Sequence, residues 1–147
     1  MRVLGLDFGS RTVGVAVTDP MGLTAQPVKT IVRERESALR KTLAEIAELV
    51  NTYGAERIVL GLPLNMNDSE GERAEKTRAF AEKLSDRTGV PIEFMDERLT
   101  TMEAQGILDD SGIPRSEQKR VIDQVAAQLI LQAWMEREAE KKRKAEN

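Results

Sequence analysis

The 147-residue chain contains neither cysteine nor histidine. Without cysteine there is no disulfide, no thiol nucleophile and no thiolate zinc site. Without histidine there is no Ser-His-Asp arrangement, no imidazole general base and no histidine-ligated metal. Aromatic residues are few (Phe8, Tyr53, Phe80, Phe94 and Trp134), so platforms for stacking bases are scarce, and any nucleic acid is expected to be recognised by backbone and shape. No apolar run approaches the roughly 20 residues of a membrane span, and Met1-Arg2 opens no signal-peptide pattern. Together with the missing cysteines, this leads us to expect a cytoplasmic protein. The formal charge of −3 argues against coating of nucleic acid by bulk positive charge. Hydrolytic chemistry is thereby left to carboxylates, lysines, hydroxyls and hard cations such as magnesium or manganese.

What is present is a soluble globular composition, 40% hydrophobic and 32% charged, of a length that suits one domain over residues 1–147. The opening run VLGLDFGSRTVGVAV carries two apolar segments rich in Val and Leu, the pattern of strands buried on both faces. Asp7 closes the first of them. A charge at the rim of a buried sheet is costly unless it is paired, hydrogen-bonded or bound to a cation, although a hairpin turn capped by Asp7 would also account for it. Gly9 and Gly14 leave room for close backbone approach, as to a phosphate or nucleotide.

Strands are expected at 2–8, 12–18 and 24–32 as an antiparallel meander, then a helix from Glu36 to Tyr53 ended by Gly54. A short buried strand follows at Arg57–Leu62, and Ser69 with Glu72 forms a capping-box pattern opening a helix that stops near Gly89. A fifth strand at Pro91–Met95 hands over through Asp96-Glu97-Arg98 to a helix with Thr100 and Glu103 as its own capping box, ending near Ser111-Gly112. A last helix is expected from Pro114 into the 130s, with 136–147 a polar, frayed tail. This order implies an α/β domain with a mixed sheet covered on both faces, whose ligands bind beyond the strand ends. Asp7, Asn65 and Glu97 all fall at such ends.

Asp96 and Glu97 point opposite ways on an extended strand, so one of the two faces the cleft. Asp123 lies in the last helix, at the border of an apolar stripe of Ile122, Val125, Ala126, Leu129, Ala133 and much of Ile130, where a boundary acid favoured by the helix dipole is the simpler account. The small Ala126 and Ala127 would nevertheless let that helix approach the sheet and aim Asp123 at Asp7. Three carboxylates in one cleft repel one another and raise their pKa values unless a cation is bound, and one or two magnesium or manganese ions would resolve the conflict. Basic residues that the fold could gather into a local track are Arg11, Arg33, Arg35, Arg40, Lys41, Arg98, Arg115, Lys119 and Arg120.

The segments DFGSRTVGVAV, GLPLNMN, MDERLTT and VIDQVAAQLIL resemble the YqgF/RuvX family, relatives of the RuvC resolvase in the ribonuclease H-like superfamily. The resemblance covers residues 1 to about 135. It implies a ribonuclease H-like fold with a five-stranded mixed sheet in the order 3-2-1-4-5, the first three strands antiparallel. It also implies a cytoplasmic, metal-dependent nuclease that trims the 5′ end of precursor 16S ribosomal RNA, with Holliday-junction resolution as the alternative. Asp7, Glu97 and Asp123 match the family's acids and are expected to be the catalytic residues and the metal ligands. Ser10 and Arg11 are expected at a substrate phosphate, Asn65 at sugar or base, and Arg98 at the backbone or paired with Asp96. The acid that RuvC carries on the strand beside its first comes here from the strand beyond, so Glu97 starts roughly 10 Å sideways from Asp7. Side-chain reach must close that gap. The partner is expected to be structured RNA or, alternatively, branched DNA, and the protein a monomer or weak homodimer. A non-catalytic nucleic-acid-binding or ribosome-assembly module of the same fold is the competing reading.

Overall fold

A computed structural model of the chain describes residues 1–65, 67, 69–97, 100–119 and 121–146. The branched apolar runs form β1 (Arg2–Phe8), β2 (Thr12–Thr18) and β3 (Ala25–Val32), followed by α1 (Arg40–Tyr53), β4 (Ala55–Leu62), α2 (Glu72–Thr88) and β5 (Ile92–Asp96). Three helices complete the chain: α3 (Thr100–Asp110), the short α4 (Arg115–Gln118) and the long α5 (Ile122–Glu146). The five strands form one sheet in the order β3-β2-β1-β4-β5, antiparallel among the first three and parallel from β1 through β4 to β5, as the family resemblance implies. Pro27 sits on the edge strand β3, paired with Ala16 at a register shift, where a proline is tolerated.

Side-chain alternation divides the sheet into two unlike faces. Leu4, Leu6 and Phe8, with Val13, Val15 and Val17, Ile58 and Leu60, fill one core with Ile46 and Val50 of α1 and Phe80 and Leu84 of α2. Phe8 and Phe80 stack there with ring centroids 4.1 Å apart. The other face is built of smaller residues: Val3, Ala16 and Val59 pack against Ala127, Ile130, Leu131 and Trp134 of α5. Three of its positions are glycines. A β-carbon on Gly5 would lie 2.7 Å from Leu131 Cβ, and one on Gly14 would lie 1.9 Å from the backbone oxygen of Asp123. Helix α5 therefore lies directly on the sheet's backbone, closer than any side chain at those positions would permit.

Several local expectations change. Helix α1 begins at Arg40 rather than Glu36, because the Glu36 carbonyl accepts from Arg33 Nε (3.2 Å) and its carboxylate binds Arg73 and Lys76 (2.9 Å each). Ser69 does not cap α2: its hydroxyl donates to Asn67 Oδ1 (2.6 Å), and the helix starts from Gly71 with no side-chain cap. The expected last helix is broken in two: α4 ends at Gln118, whose buried side chain donates to Ile113 O and Asp109 Oδ1, and α5 begins at Ile122. Residues 136–146, expected to fray, continue α5, with Lys141–Glu138 and Lys144–Glu140 ion pairs along it. Among the described residues no helix is long and apolar enough to cross a membrane.

Candidate active site

Asp7 stands at the end of the central strand β1, directly opposite Gly14 of β2, on the face that α5 covers. Glu97 extends the β4–β5 pairing by one step, its N–H donating to Leu62 O (3.2 Å), and alternation puts it on the same face as Glu93 and Met95. Asp96 is exposed. Between Asp7 and Glu97 runs β4, and there the chain has Gly61. An atom at its Cβ position would lie 2.9 Å from Glu97 Oε2 and 3.0 Å from Cδ. The Glu97 side chain thus crosses the bare backbone of β4 and closes the lateral gap, meeting Asp7 in a carboxyl–carboxyl hydrogen bond.

Asp123 arrives from above. The buried residues of α5 are Ala126, Ala127, Ile130, Leu131 and Trp134, so the inward stripe is rotated from the expected one and Ala133 is exposed. Spacings of three, four, seven and eight from Asp123 reach that stripe, which puts this acid on the inward face rather than at its border. Its backbone is seated on Gly14, the register partner of Asp7. Glycine beneath the helix is what brings the third acid to the strand end.

Asp7 and Glu97 respond to their surroundings as crowded carboxylates should. Burial pushes Glu97 up to about 9, with the Asp7 charge and the hydrogen bond to Asp7 adding to the shift. Asp7 is also raised, chiefly by burial and further by the Asp123 charge, while the hydrogen bond from Glu97 and the Arg73 charge oppose the rise. Burial and mutual repulsion therefore favour a protonated form of the Asp7–Glu97 pair. Among the described residues no three carboxylates already stand at metal-holding spacing. The donor set is nevertheless all oxygen, partly desolvated and held together by a proton that a cation could replace. This chemistry fits a hard divalent ion.

Arg73 is the functional candidate that sequence reasoning missed. It lies in the first turn of α2, donates to Phe8 O (3.2 Å) and places its charge where it lowers the pKa of both Asp7 and Glu97. The available signal was its position four residues before Thr77 and seven before Phe80, on the buried face of the helix. Of the expected substrate-binding residues, Ser10 and Arg11 are exposed on the β1–β2 turn beyond Asp7. That turn is fastened by Arg33, whose Nη2 donates to Gly9 O and Ser10 O (2.8 Å each). Asn65 lies in the β4–α2 loop, bonded through Nδ2 to Ser69 Oγ and through its N–H to Ser69 O. Arg98 lies outside the described residues. Gly9 and Gly14 do not open a phosphate cradle: the first abuts Thr12 and the second is covered by α5.

Comparison with known proteins bears on the family and the fold. The family model described as "RuvX: Holliday junction resolvase" matches residues 1–137. A protein of Lachnospira eligens is 49% identical over 92% of this chain and 97% of its own length, and one of Agathobacter rectalis is 50% identical over 92% and 95%. Both bear the name "Putative pre-16S rRNA nuclease". Among solved structures, Thermus thermophilus RuvC superposes with a TM-score of 0.53 at 15% identity, covering 88% of this chain and 92% of that one. RuvC from the same organism in complex with a Holliday junction gives 0.54 at 17% identity, with the same coverage. These likenesses carry the fold, and the match over nearly the whole sequence carries the family: the chain is a member of the RuvX family.

Proposed function

We propose that the chain is a metal-dependent endonuclease that hydrolyses phosphodiester bonds in RNA and serves in the cytoplasm to process the 5′ end of precursor 16S ribosomal RNA. The observation that supports this most is the hydrogen-bonded Asp7–Glu97 pair with Asp123 adding its charge from α5. The RNA assignment follows the name carried by relatives of about half identity. Asp7, Glu97 and Asp123 would hold one or two magnesium or manganese ions. A divalent ion so held supplies an activated water and charge stabilisation at the leaving oxygen. The protein's own part is positional. Asp7 is fixed by a strand, Glu97 is guided over Gly61, and Asp123 is set by the seating of α5. Arg73 keeps the carboxylates ready to ionise and, with Ser10 and Arg11 at the exposed turn, provides for phosphate oxygens. Asn65 and Arg98 are assigned to sugar, base or backbone beside the cleft.

A second reading, Holliday-junction resolution, is favoured by the description of the matching family model. One experiment separates the two. Wild type and Asp7→Asn are compared with magnesium, manganese or chelator on precursor 16S RNA and on four-way-junction DNA. Metal-dependent cutting of the RNA, abolished by Asp7→Asn in a folded protein, supports the processing nuclease. Paired symmetric cuts in the junction would transfer the assignment to a resolvase. Metal-independent cutting, or undiminished activity of pure Asp7→Asn, would remove the carboxylate mechanism. No cutting of either substrate by wild type would favour a binding module.

A further inference from the structure

Arg33 is only 5% exposed, yet among the described residues it pairs with no carboxylate. Its donors go to neutral carbonyls: Nη2 to Gly9 and Ser10, Nε to Glu36. The Glu36 carboxylate is taken by Arg73 and Lys76. Arg33 Nη1 is buried without a hydrogen-bond partner. A second cation stands close by, for Arg33 and Arg73 lie over the same Phe8 ring, at 4.9 and 5.5 Å from its centroid. A buried charge with an unmet donor and a like charge beside it calls for an anion.

Arg33 also lines a cavity of about 600 Å³ between the end of β3 and the first turn of α1. Arg35, Arg40 and Lys41 line it too. Of its two acids, Glu45 is paired with Lys29 and Glu34 is exposed. The 14-residue α1 opens onto this cavity without a side-chain cap and without an acid in its first turn, leaving the positive end of its dipole uncompensated. Four basic side chains, one of them with an unsatisfied guanidinium nitrogen, and an uncapped helix start together match the several oxygens of a phosphate. The position matters as well. The carbonyls that Arg33 grips belong to the turn immediately after Asp7, and Arg11 Nε reaches Arg33 O (3.4 Å) across the same edge. A strand leaving the carboxylates over the Gly9-Ser10 turn would come down on this cavity.

We propose that the cavity formed by Arg33, Arg35, Arg40, Lys41 and the first turn of α1 binds a backbone phosphate of the nucleic acid strand beside the cleaved bond. The assignment of the strand rests on the nuclease reading above; the anion site itself is testable without it. In the first arm, inorganic phosphate is titrated into the full-length protein while nitrogen-detected NMR follows Arg33 Nε and the amides of Arg40 to Thr42. Saturable shifts in the millimolar range are expected at these groups, and are expected to vanish in Arg40→Gln/Lys41→Gln. Both residues are exposed, so the fold should survive.

In the second arm, Asp7→Asn protein binds precursor 16S RNA without cutting it, and fluorescence anisotropy gives the affinity across a salt series. Adding Arg35→Gln, Arg40→Gln and Lys41→Gln is expected to weaken binding about tenfold or more. The same changes should lower the slope of log affinity on log salt by roughly 0.7 for each phosphate no longer neutralised. Unchanged affinity and slope, with no phosphate shifts in the first arm, would overturn the site while leaving the nuclease reading standing. Phosphate shifts in a protein that neither binds nor cuts RNA would overturn the strand assignment and the nuclease reading together, and assign the cavity to a free phosphate compound.

Discussion

The Glu97 carboxylate rests over the bare backbone of Gly61, its Oε2 2.9 Å from the point where a β-carbon on that strand would stand. A single methyl group placed there would meet both this carboxylate and Ile130 Cδ1, at 2.6 Å. We therefore expect Gly61→Ala to cost about 1–3 kcal/mol of stability through overpacking. Cleavage should fall far more than stability, by roughly 100-fold, because displacement of about 1 Å is enough to misplace a catalytic group. Circular dichroism and kcat/KM on the same preparation check this; a folded variant with wild-type activity would mean that Glu97 does not act from this position.

Metal-free stability should decline with rising pH. Glu97, raised from 4.5 to about 9, binds its proton more tightly in the folded chain than in the unfolded one. Between these values the folded state holds more protons, so each step up in pH favours unfolding. Asp7, also raised, adds in the same direction. The expected result in chelator is a Tm that falls steadily from about pH 5 to pH 9, with magnesium or manganese flattening the decline by taking the proton's place. Glu97→Gln should remove most of the slope, raise the metal-free Tm near neutral pH by several degrees and abolish cleavage. A pH-independent Tm in the wild-type protein would contradict the crowded-carboxylate picture.

Two glycines should behave oppositely toward alanine. At Gly14 the added carbon would lie 1.9 Å from Asp123 O, so α5 must lift from β2; a loss of at least about 3 kcal/mol is expected, with activity lost alongside it. At Gly106, exposed within α3 and with nothing within 4 Å of the added carbon, alanine should stabilise by about 0.5–1 kcal/mol through helix propensity. Urea midpoints of the two variants measure the contrast.

Arg33→Lys should be disruptive although it preserves charge. An ammonium on a flexible stem cannot hold Gly9 O, Ser10 O and Glu36 O while lying flat over Phe8. A loss of about 2–4 kcal/mol is expected from the missing charge-assisted bonds and stacking, read as a shifted urea midpoint with unchanged m-value.

The strands are readable in the sequence because Val, Leu and Ile runs are interrupted by turn residues at Gly9-Ser10 and Asp19-Pro20, whereas the element order implies only a mixed sheet and the 3-2-1-4-5 order comes from the family resemblance. Helix starts are harder. Ser69 looks like a cap, but its hydroxyl finds Asn67 first, a competition between local partners that spacing alone does not reveal. The phase of α5 differs from the expected one because Ile122, Val125, Leu129 and Ala133 suggest one side of Ala126 while the glycine floor selects the other, through Ala127 and Leu131. Arg73 escapes notice because its place on the buried face of α2 reveals no partner; its neighbours Phe8, Asp7 and Glu97 come from distant parts of the chain. Asp7 and Glu97 can each be assigned to a strand end, yet their meeting depends on an absent side chain on a third strand.

The glycine floor beneath α5 also divides the chain by its freedom to diverge. A β-carbon at position 5, 14 or 61 would stand within 2.7 Å of a neighbouring atom, whereas Gly106 stands in open space. Saturation libraries, or the natural drift of the sequence, should therefore leave the first three blank at almost any functional threshold and the last freely variable. The mutational record of this protein would be written most sharply at residues that touch no substrate and carry no charge.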